Sequence, residues 1–384
     1  MKKRTNSILK EMNRSILLSK ILEYEEYEGI SRIELSKQAN LSKSTVSLII
    51  EELISSGLIK EVGEGNSTKK GGRKPIKIKL NPYYGYILSI KVKKNISTYI
   101  ISNLFGEVFT EEIIENCDCY GDELVERIAN NCKALISKNS DLDIIAISMS
   151  IPGNVDSKNG SVLFSPEIRL NNCKIREYFN ENTNIECDVY VENDVNMTII
   201  GEKWKGKGRN YKDFALVMVG SGVGCSMVLN DKIYRGSNGF AGEIGYMVLS
   251  KNAINNEYST LDKFGYFEGK TSMAALLEKL ELKDIKEINK KLENADVEVS
   301  VEVEKIIDYL SIGIANITSL LNPEVVILSG SILNLKDHIL GPLRDRVGRL
   351  TPLYCDIEAS ELPNGWLYGS VLNTLSALYD IKLI

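Results

Sequence analysis

Apolar and polar positions change texture twice along the chain. Up to residue 57 the apolar residues recur every three to four positions, the spacing of one face of a helix. Leu9, Met12, Ile16 and Leu17 mark a first helix. Ile33, Leu35 and Ala39 mark a short second one, and Val46, Ile49, Ile50 and Leu53 a third. Ser31 and Ser42 stand where N-caps belong, Asn40-Leu41 makes the turn between them, and Gly57 is placed to end the third helix in a left-handed cap. The period then drops to two. Leu58–Val62 and Ile76–Leu80 alternate apolar with polar, as the arms of a hairpin do. Three helices with a tight turn followed by a hairpin predict a winged helix-turn-helix over residues 1–80.

Past Asn81-Pro82 strands and helices mix. "YGYILSIKVKKNISTYIISNLFGEVF" reads as a three-stranded meander, followed by a helix from about Asp122 to Lys138 and the strand "IIAISMS". A second half opens near Asp213 with the strands "FALVMV" and "GCSMVLN". A helix over roughly Val299 to Leu321, the strand "EVVILSG" and the apolar helix "GWLYGSVLNTLSALY" follow. Two similar halves, divided at 81–200 and 201–384, predict an α/β body with a duplicated sheet and a cleft between the copies.

Composition narrows the field. The chain has 384 residues, 43% hydrophobic and 26% charged, an ordinary soluble balance. No apolar run approaches the roughly 18 residues of a membrane span, and the N-terminus lacks the apolar core of a signal peptide, so a cytoplasmic protein is expected. Seven cysteines include one C-x-C pair, Cys117 and Cys119, with no second pair or nearby histidine to complete a metal site. His338 is the only histidine and reads as a helix-surface residue, which argues against nucleophile–histidine chemistry. The net charge of −5 hides an asymmetry: residues 1–80 carry 16 Lys+Arg against 10 Asp+Glu, and the remainder 31 against 42. A basic head on an acidic body points to a head that meets a polyanion.

The third helix presents Lys43, Ser44, Thr45 and Ser47 away from its apolar face, the small polar and basic set that reads base edges in a major groove. A solvated helix face is the plainer reading. The wing favours DNA, because Lys69, Lys70, Arg73 and Lys74 lie on a tip among Gly63, Gly65, Gly71 and Gly72, where an arginine can enter a narrow minor groove.

In the body, "IECDVYVENDVNMTIIGEKW" hands a strand over to a helix at Asn193-Asp194, a corner where α/β sheets often bind ligands. "VGSGVGC" at Val219–Cys225 could cradle phosphate through backbone amides or be a plain glycine-rich turn; no Gly-Lys-Ser/Thr follows it. "RGSNGFAGEIGYMVLS" presents Glu243.

Taken in order, "SIPGNVD", "VENDVN", "VGSGVG", "RGSNGFAGEIGY", "GYFEG" and "LNPEVVILSGS" resemble the ROK family of repressors, open reading frames and sugar kinases, within the actin-like ATPase fold. The basic head matches its repressor branch, like the xylose repressors. The resemblance implies a sugar site made of Asn154, Asn193, Asp194, Glu243, Tyr246 and Glu268, with Asp194 at the position of the kinases' general base. It also marks departures. Lys93-Lys94-Asn95, in "SIKVKKNIST", stand where the family has the aspartate and glycines of a phosphate turn. Tyr246 replaces a histidine that binds both sugar and zinc. "KNAINNEYSTLDKFGYFEG" replaces a cysteine-rich zinc loop and has no Cys or His. Neither magnesium-nucleotide nor zinc is therefore expected, and no other cofactor. The resemblance implies a sugar-responsive repressor of carbohydrate genes, xylose metabolism among them. It would be a dimer on double-stranded operator DNA, with Asp194 holding ligand rather than catalysing. The rivals are a regulator with a degenerate pocket that answers a protein partner, and an active sugar kinase.

Overall fold

The computed structural model of the chain describes residues 2–24, 29–64, 74–251 and 265–381, with side chains from residue 8 onward. The head consists of α1 (Lys2–Glu23), β1 (Ile30–Ser31), α2 (Arg32–Gln38), α3 (Lys43–Ser55), β2 (Ile59–Glu64) and β3 (Ile76–Leu80), its strands in the order β1-β3-β2. The caps fall where serines stand. The Ser31 hydroxyl accepts the Glu34 N–H while the Glu34 carboxylate accepts the Ser31 N–H, a complete capping box. The Ser42 hydroxyl accepts the Thr45 N–H at 3.1 Å. Gly57 has φ +81 just past the last turn of α3. One expectation fails in register. Leu9, Met12 and Ile16 are exposed; of the expected set only Leu17 is buried, together with Leu18, Ile21 and Leu22. Ile33 is likewise exposed, leaving Leu35 as the buried anchor of α2.

The body carries two five-stranded sheets of matching topology. The first contains β4 (Tyr86–Val92), β5 (Ile96–Asn103), β6 (Val108–Glu115), β7 (Ile144–Ile151) and β11 (Asp188–Asn193), ordered β11-β7-β4-β5-β6. Helix α4 (Gly121–Lys138) lies on it, and a three-stranded sheet of β8 (Asn154–Asp156), β9 (Ser161–Ser165) and β10 (Leu170–Cys173), followed by α5 (Ile175–Asn182), is inserted before β11. After α6 (Asp194–Lys205) comes the second sheet, β12 (Phe214–Val219), β13 (Val223–Leu229), β14 (Lys232–Ile233), β15 (Val325–Ser329) and β16 (Asp356–Ala359), ordered β14-β13-β12-β15-β16. Each sheet is an antiparallel meander extended by two parallel strands, so the duplication is one of topology as well as length. Helices α7 (Glu268–Thr271), α8 (Met273–Lys279), α9 (Ile285–Glu293), α10 (Val297–Leu321), α11 (Lys336–Leu350) and α12 (Gly365–Tyr379) complete the chain.

Two helices lie between the sheets. Val195 and Ile199 of α6 pack on Phe214, Leu216, Val228 and Ile327 of the second sheet. Helix α12, the last of the second half, packs back on β4 and β7 of the first. Position 200 therefore lies inside a helix that serves both halves. The two helices approach so closely that side chains are excluded at the crossing. A Cβ on Gly201 would come within 1.9 Å of the Gly365 carbonyl oxygen, and one on Gly369 within 1.7 Å of that of Met197.

Head and body share a core. Leu17, Leu18, Ile21 and Leu22 of α1 sit in one buried cluster with Ile200 and Trp204 of α6 and Val371, Leu372 and Leu375 of α12. The Ser15 hydroxyl donates to the Asp380 carbonyl, and the Arg14 guanidinium lies 5.8 Å over the Tyr379 ring.

Gly369→Ala should therefore cost about 3 kcal/mol or more, because the clash is with backbone that cannot rotate away. Gly348→Ala, on exposed α11 with nothing within 4 Å of a new Cβ, should instead gain up to about 1 kcal/mol from helix propensity. Urea denaturation of both variants checks the contrast; similar midpoints would show that the α6–α12 crossing yields easily.

Candidate functional site

The corner between β11 and α6 is built by Asn193. Its side-chain oxygen accepts the N–H groups of Val195 and Asn196 at 2.9 and 3.0 Å, capping the helix, while its amide nitrogen donates to the Gly153 carbonyl at 2.9 Å. Most of its hydrogen-bonding capacity is thus spent on holding the corner. Glu192, 1% exposed, backs it up. One carboxylate oxygen accepts from Asn193 N–H and Asn196 Nδ2, and the other from Arg235 Nη2 at 2.5 Å. Arg235 belongs to the glycine-rich loop after β14, so this ion pair spans the two halves. Asn196 is held in turn by the Ser226 hydroxyl of β13 at 2.6 Å.

Asp194 then starts α6, facing into the cleft. Burial pushes its carboxyl above the usual range, and the largest charge working against that is the ammonium of Lys91. Lys91 feels the reverse: burial lowers its proton affinity and Asp194 restores part of it. Lys93 and Lys94 are exposed, while Lys91, within the strand, faces Asp194.

Three more carboxylates share the cleft. Glu243 is raised to about 7 by burial and by the charges of Asp194 and Glu268. Glu268 is raised by burial, against hydrogen bonds from the Val223 and Gly265 backbones. Glu167, in the turn between β9 and β10, was not anticipated from the sequence. Its carboxylate accepts the Lys94 N–H at 3.3 Å, and burial and then Asp194 push its proton affinity up. Asn154, 3% exposed, donates from Nδ2 to the Asn238 carbonyl at 3.3 Å, and its Oδ1 is buried without a partner. Tyr246 closes the short 3-10 turn Ile244–Tyr246 that follows Glu243 and is half-buried.

The glycine-rich turn is occupied by the chain itself. Glu268 Oε1 accepts the Val223 N–H at 3.1 Å, and a Cβ on Gly222 would lie 2.5 Å from that oxygen. A carboxylate takes one amide of the glycine turn, and the turn after β4 carries Lys93 and Lys94 where the family resemblance places an acid and glycines. The residues present do not fit a magnesium nucleotide. Nor do they fit zinc, since no Cys or His lies between Glu243 and Glu268.

On the head, Lys43 and Ser44 are exposed at the start of α3, and Thr45 and Ser47 are half-buried. The hydroxyls of Ser44 and Thr45 each share a 2.8 Å hydrogen bond with that of Ser42, so the cap orients them. Leu48, on the same helix, is 56% exposed. Lys74 is exposed; Lys69, Lys70 and Arg73 lie outside the described residues.

The model of the ROK family matches residues 97–354, and that of a winged helix-turn-helix DNA-binding family matches residues 21–60. The chain is 28% identical to the xylose repressor of Caldicellulosiruptor bescii over 90% of this chain and 89% of that one. It is 27% identical to the DNA-binding transcriptional dual regulator NagC of Escherichia coli, over 87% and 84%. The crystal structure of a ROK family transcriptional regulator, a homologue of the E. coli Mlc protein, superposes with a TM-score of 0.83 at 22% identity, covering 98% of both chains. That likeness shows the shared fold.

Glu243 gives the cleft a pH signature. The folded state keeps this proton up to about 7, whereas an unfolded glutamate releases it near 4.5. Between those values the folded state binds more protons. The stabilisation is full below the lower value and is lost as pH rises to the upper one. The stability of wild type minus that of Glu243→Gln should therefore fall by about 1–3 kcal/mol between pH 5 and 7.5. Denaturant titrations across that range check it, and parallel curves would remove the shift.

Proposed function

The chain belongs to the ROK family, and from that premise we propose that it is a sugar-responsive repressor: the head binds operator DNA, and a neutral sugar in the body's cleft changes that binding. The units are the head at 1–80 and the two halves of the body at 81–200 and 201–384. The observation that carries the reading is the Glu268 carboxylate on the Val223 amide. It fills the glycine turn from inside, while Asp194, Glu243, Glu167 and Asn154 still offer directed acceptors to a polyhydroxyl ligand. A cleft that keeps its hydroxyl partners and closes its phosphate cradle suits binding without phosphoryl transfer. Tyr246 adds a phenol at its edge, and Asn193 fixes the corner more than it contacts ligand.

The head supplies the other half. Lys43, Ser44, Thr45 and Ser47 meet base edges, Lys69, Lys70 and Lys74 meet phosphates, and Arg73 enters the minor groove. A palindromic operator calls for two heads, so the working form is a dimer acting in the cytoplasm. No helix among the described residues is long and apolar enough to cross a membrane. Relatives named xylose repressor and N-acetylglucosamine repressor make D-xylose and N-acetyl-D-glucosamine the first sugars to test.

A thermal-shift panel of D-xylose, D-glucose and N-acetyl-D-glucosamine should show one sugar that stabilises the protein, by about 2.7 kcal/mol at 100 times its Kd. That sugar should alter operator affinity, and no ADP should form with ATP and magnesium. Sugar-dependent ADP release would make the protein a kinase. Absence of any sugar effect would favour a protein partner.

The recognition helix has its own test. Ser47→Ala should weaken operator binding by about 1–3 kcal/mol more than it weakens binding to a scrambled duplex. Fluorescence anisotropy on both duplexes measures this, and equal losses would take α3 out of the reading role.

A further inference from the structure

We propose that Lys91 senses occupancy of the cleft and passes it to the head through the paired helices α6 and α12. This rests on the reading of the cleft as a sugar site and adds the residue that couples it to DNA.

Lys91 lies at the head of both helices. Its ammonium is the strongest charge favouring ionised Asp194, the first residue of α6. The same ammonium lies 5.8 Å over the ring of Trp366, the second residue of α12. One half-buried cation is thus attracted to the start of each helix, by a carboxylate on one side and an aromatic face on the other. Around it, Met197 of α6 and Trp366 and Leu367 of α12 form a buried cluster with Ile100 of β5.

The two helices transmit as one body. Their backbones touch at Gly201, Gly365 and Gly369, where there is no side chain to absorb a displacement. Helices of 12 and 15 residues reach roughly 18 and 22 Å. Their far ends enter the head's core: Ile200, Trp204, Val371, Leu372 and Leu375 pack with Leu17, Leu18, Ile21 and Leu22 of α1. The Ser15 hydroxyl and the Arg14 guanidinium fasten α1 to Asp380 and Tyr379, just where α12 ends.

A hydroxyl that bonds to Asp194 weakens the carboxylate's pull on Lys91, which acts through space rather than through an ion pair. The ammonium is poorly solvated, so losing part of its partner shifts its balance toward the Trp366 ring. That changes the forces on the first turns of both helices at once. A stiff pair has two discrete seats between packed sheets rather than a continuum of them, and moving between seats shifts α1.

The test uses the full chain, its operator, and D-xylose, D-glucose or N-acetyl-D-glucosamine at saturation. Calorimetry gives sugar binding and anisotropy gives operator affinity with and without sugar. In the wild type the ratio of the two operator affinities should lie in the range typical of coupled sites, about 5- to 150-fold. Lys91→Met should still bind the sugar, yet its ratio should fall close to one. Lys91→Arg keeps a cation that can lie on an indole face and should recover most of the ratio. If Lys91→Met does not fold, Trp366→Phe, which shrinks the aromatic face, should lower the ratio while leaving sugar binding in place. A wild-type ratio in Lys91→Met overturns the proposal. So does complete loss of sugar binding in that variant, which would make Lys91 a ligand contact. If no sugar binds the wild type, the cleft reading itself fails, and calorimetry on the wild type alone reveals this.

Discussion

The close crossing of α6 and α12 is the constraint on which the rest of the structure depends. Gly201 and Gly369 let the two backbones meet where any side chain would collide with a carbonyl, and Gly365 supplies the carbonyl that Gly201 meets. Because α6 leaves the first half to pack on the second sheet, and α12 leaves the second half to pack on the first, the pair occupies the space between the sheets. Its upper end sets the cleft, since Asn193 and Asp194 begin α6 and Trp366 begins α12. Its lower end is part of the head's core. A loss of packing at the crossing would therefore disturb ligand geometry and head position together, although the two lie at opposite ends of the helices.

The chemistry of the cleft follows from what surrounds that upper end. Four carboxylates, at 167, 194, 243 and 268, crowd a partly desolvated space, and each is pushed toward protonation. Such groups would repel one another and any bound phosphate, but they suit neutral hydroxyls, which can donate to each of them. Lys91 compensates part of the charge, and the Glu192–Arg235 pair holds the glycine-rich loop of the second half against the corner of the first. Glu268 is doubly used. It faces the cleft and also satisfies an amide of the glycine turn, so the turn is stabilised without any ligand.

Much of this was legible in the residues, and the parts that were not share a physical cause. Caps are local, and Ser31, Ser42, Asn193 and Gly57 mark element boundaries within a residue or two. Strand alternation gave the first meander, two strands of the second and the parallel strands β7, β11 and β15, but not the short β14 and β16. Facing is not local. On α1 the helical period fits two adjacent stripes, and only the body's α12 decides that Leu18, Ile21 and Leu22 are buried while Leu9 and Met12 stay in water. The same holds in β4. Alternation says that Lys91 lies opposite Ile90, but not that its side of the sheet is the cleft. Glu167 reaches the cleft only because the inserted sheet β8–β10 folds over it. Asn193 was expected at a hydroxyl; its capping bonds occupy the side-chain oxygen and one amide hydrogen, a use that the motif alone did not reveal.

The proposed coupling of cleft and head requires that ligand and DNA each change the affinity for the other by the same factor. The most direct measurement is the Kd of the sugar by calorimetry on the free protein and on the operator complex, at one salt concentration, beside the operator Kd with and without sugar. The two ratios should be equal and differ from one by about fivefold or more. A sugar Kd unchanged by operator would mean that the cleft and the head bind independently, and the coupling through α6 and α12 would be wrong.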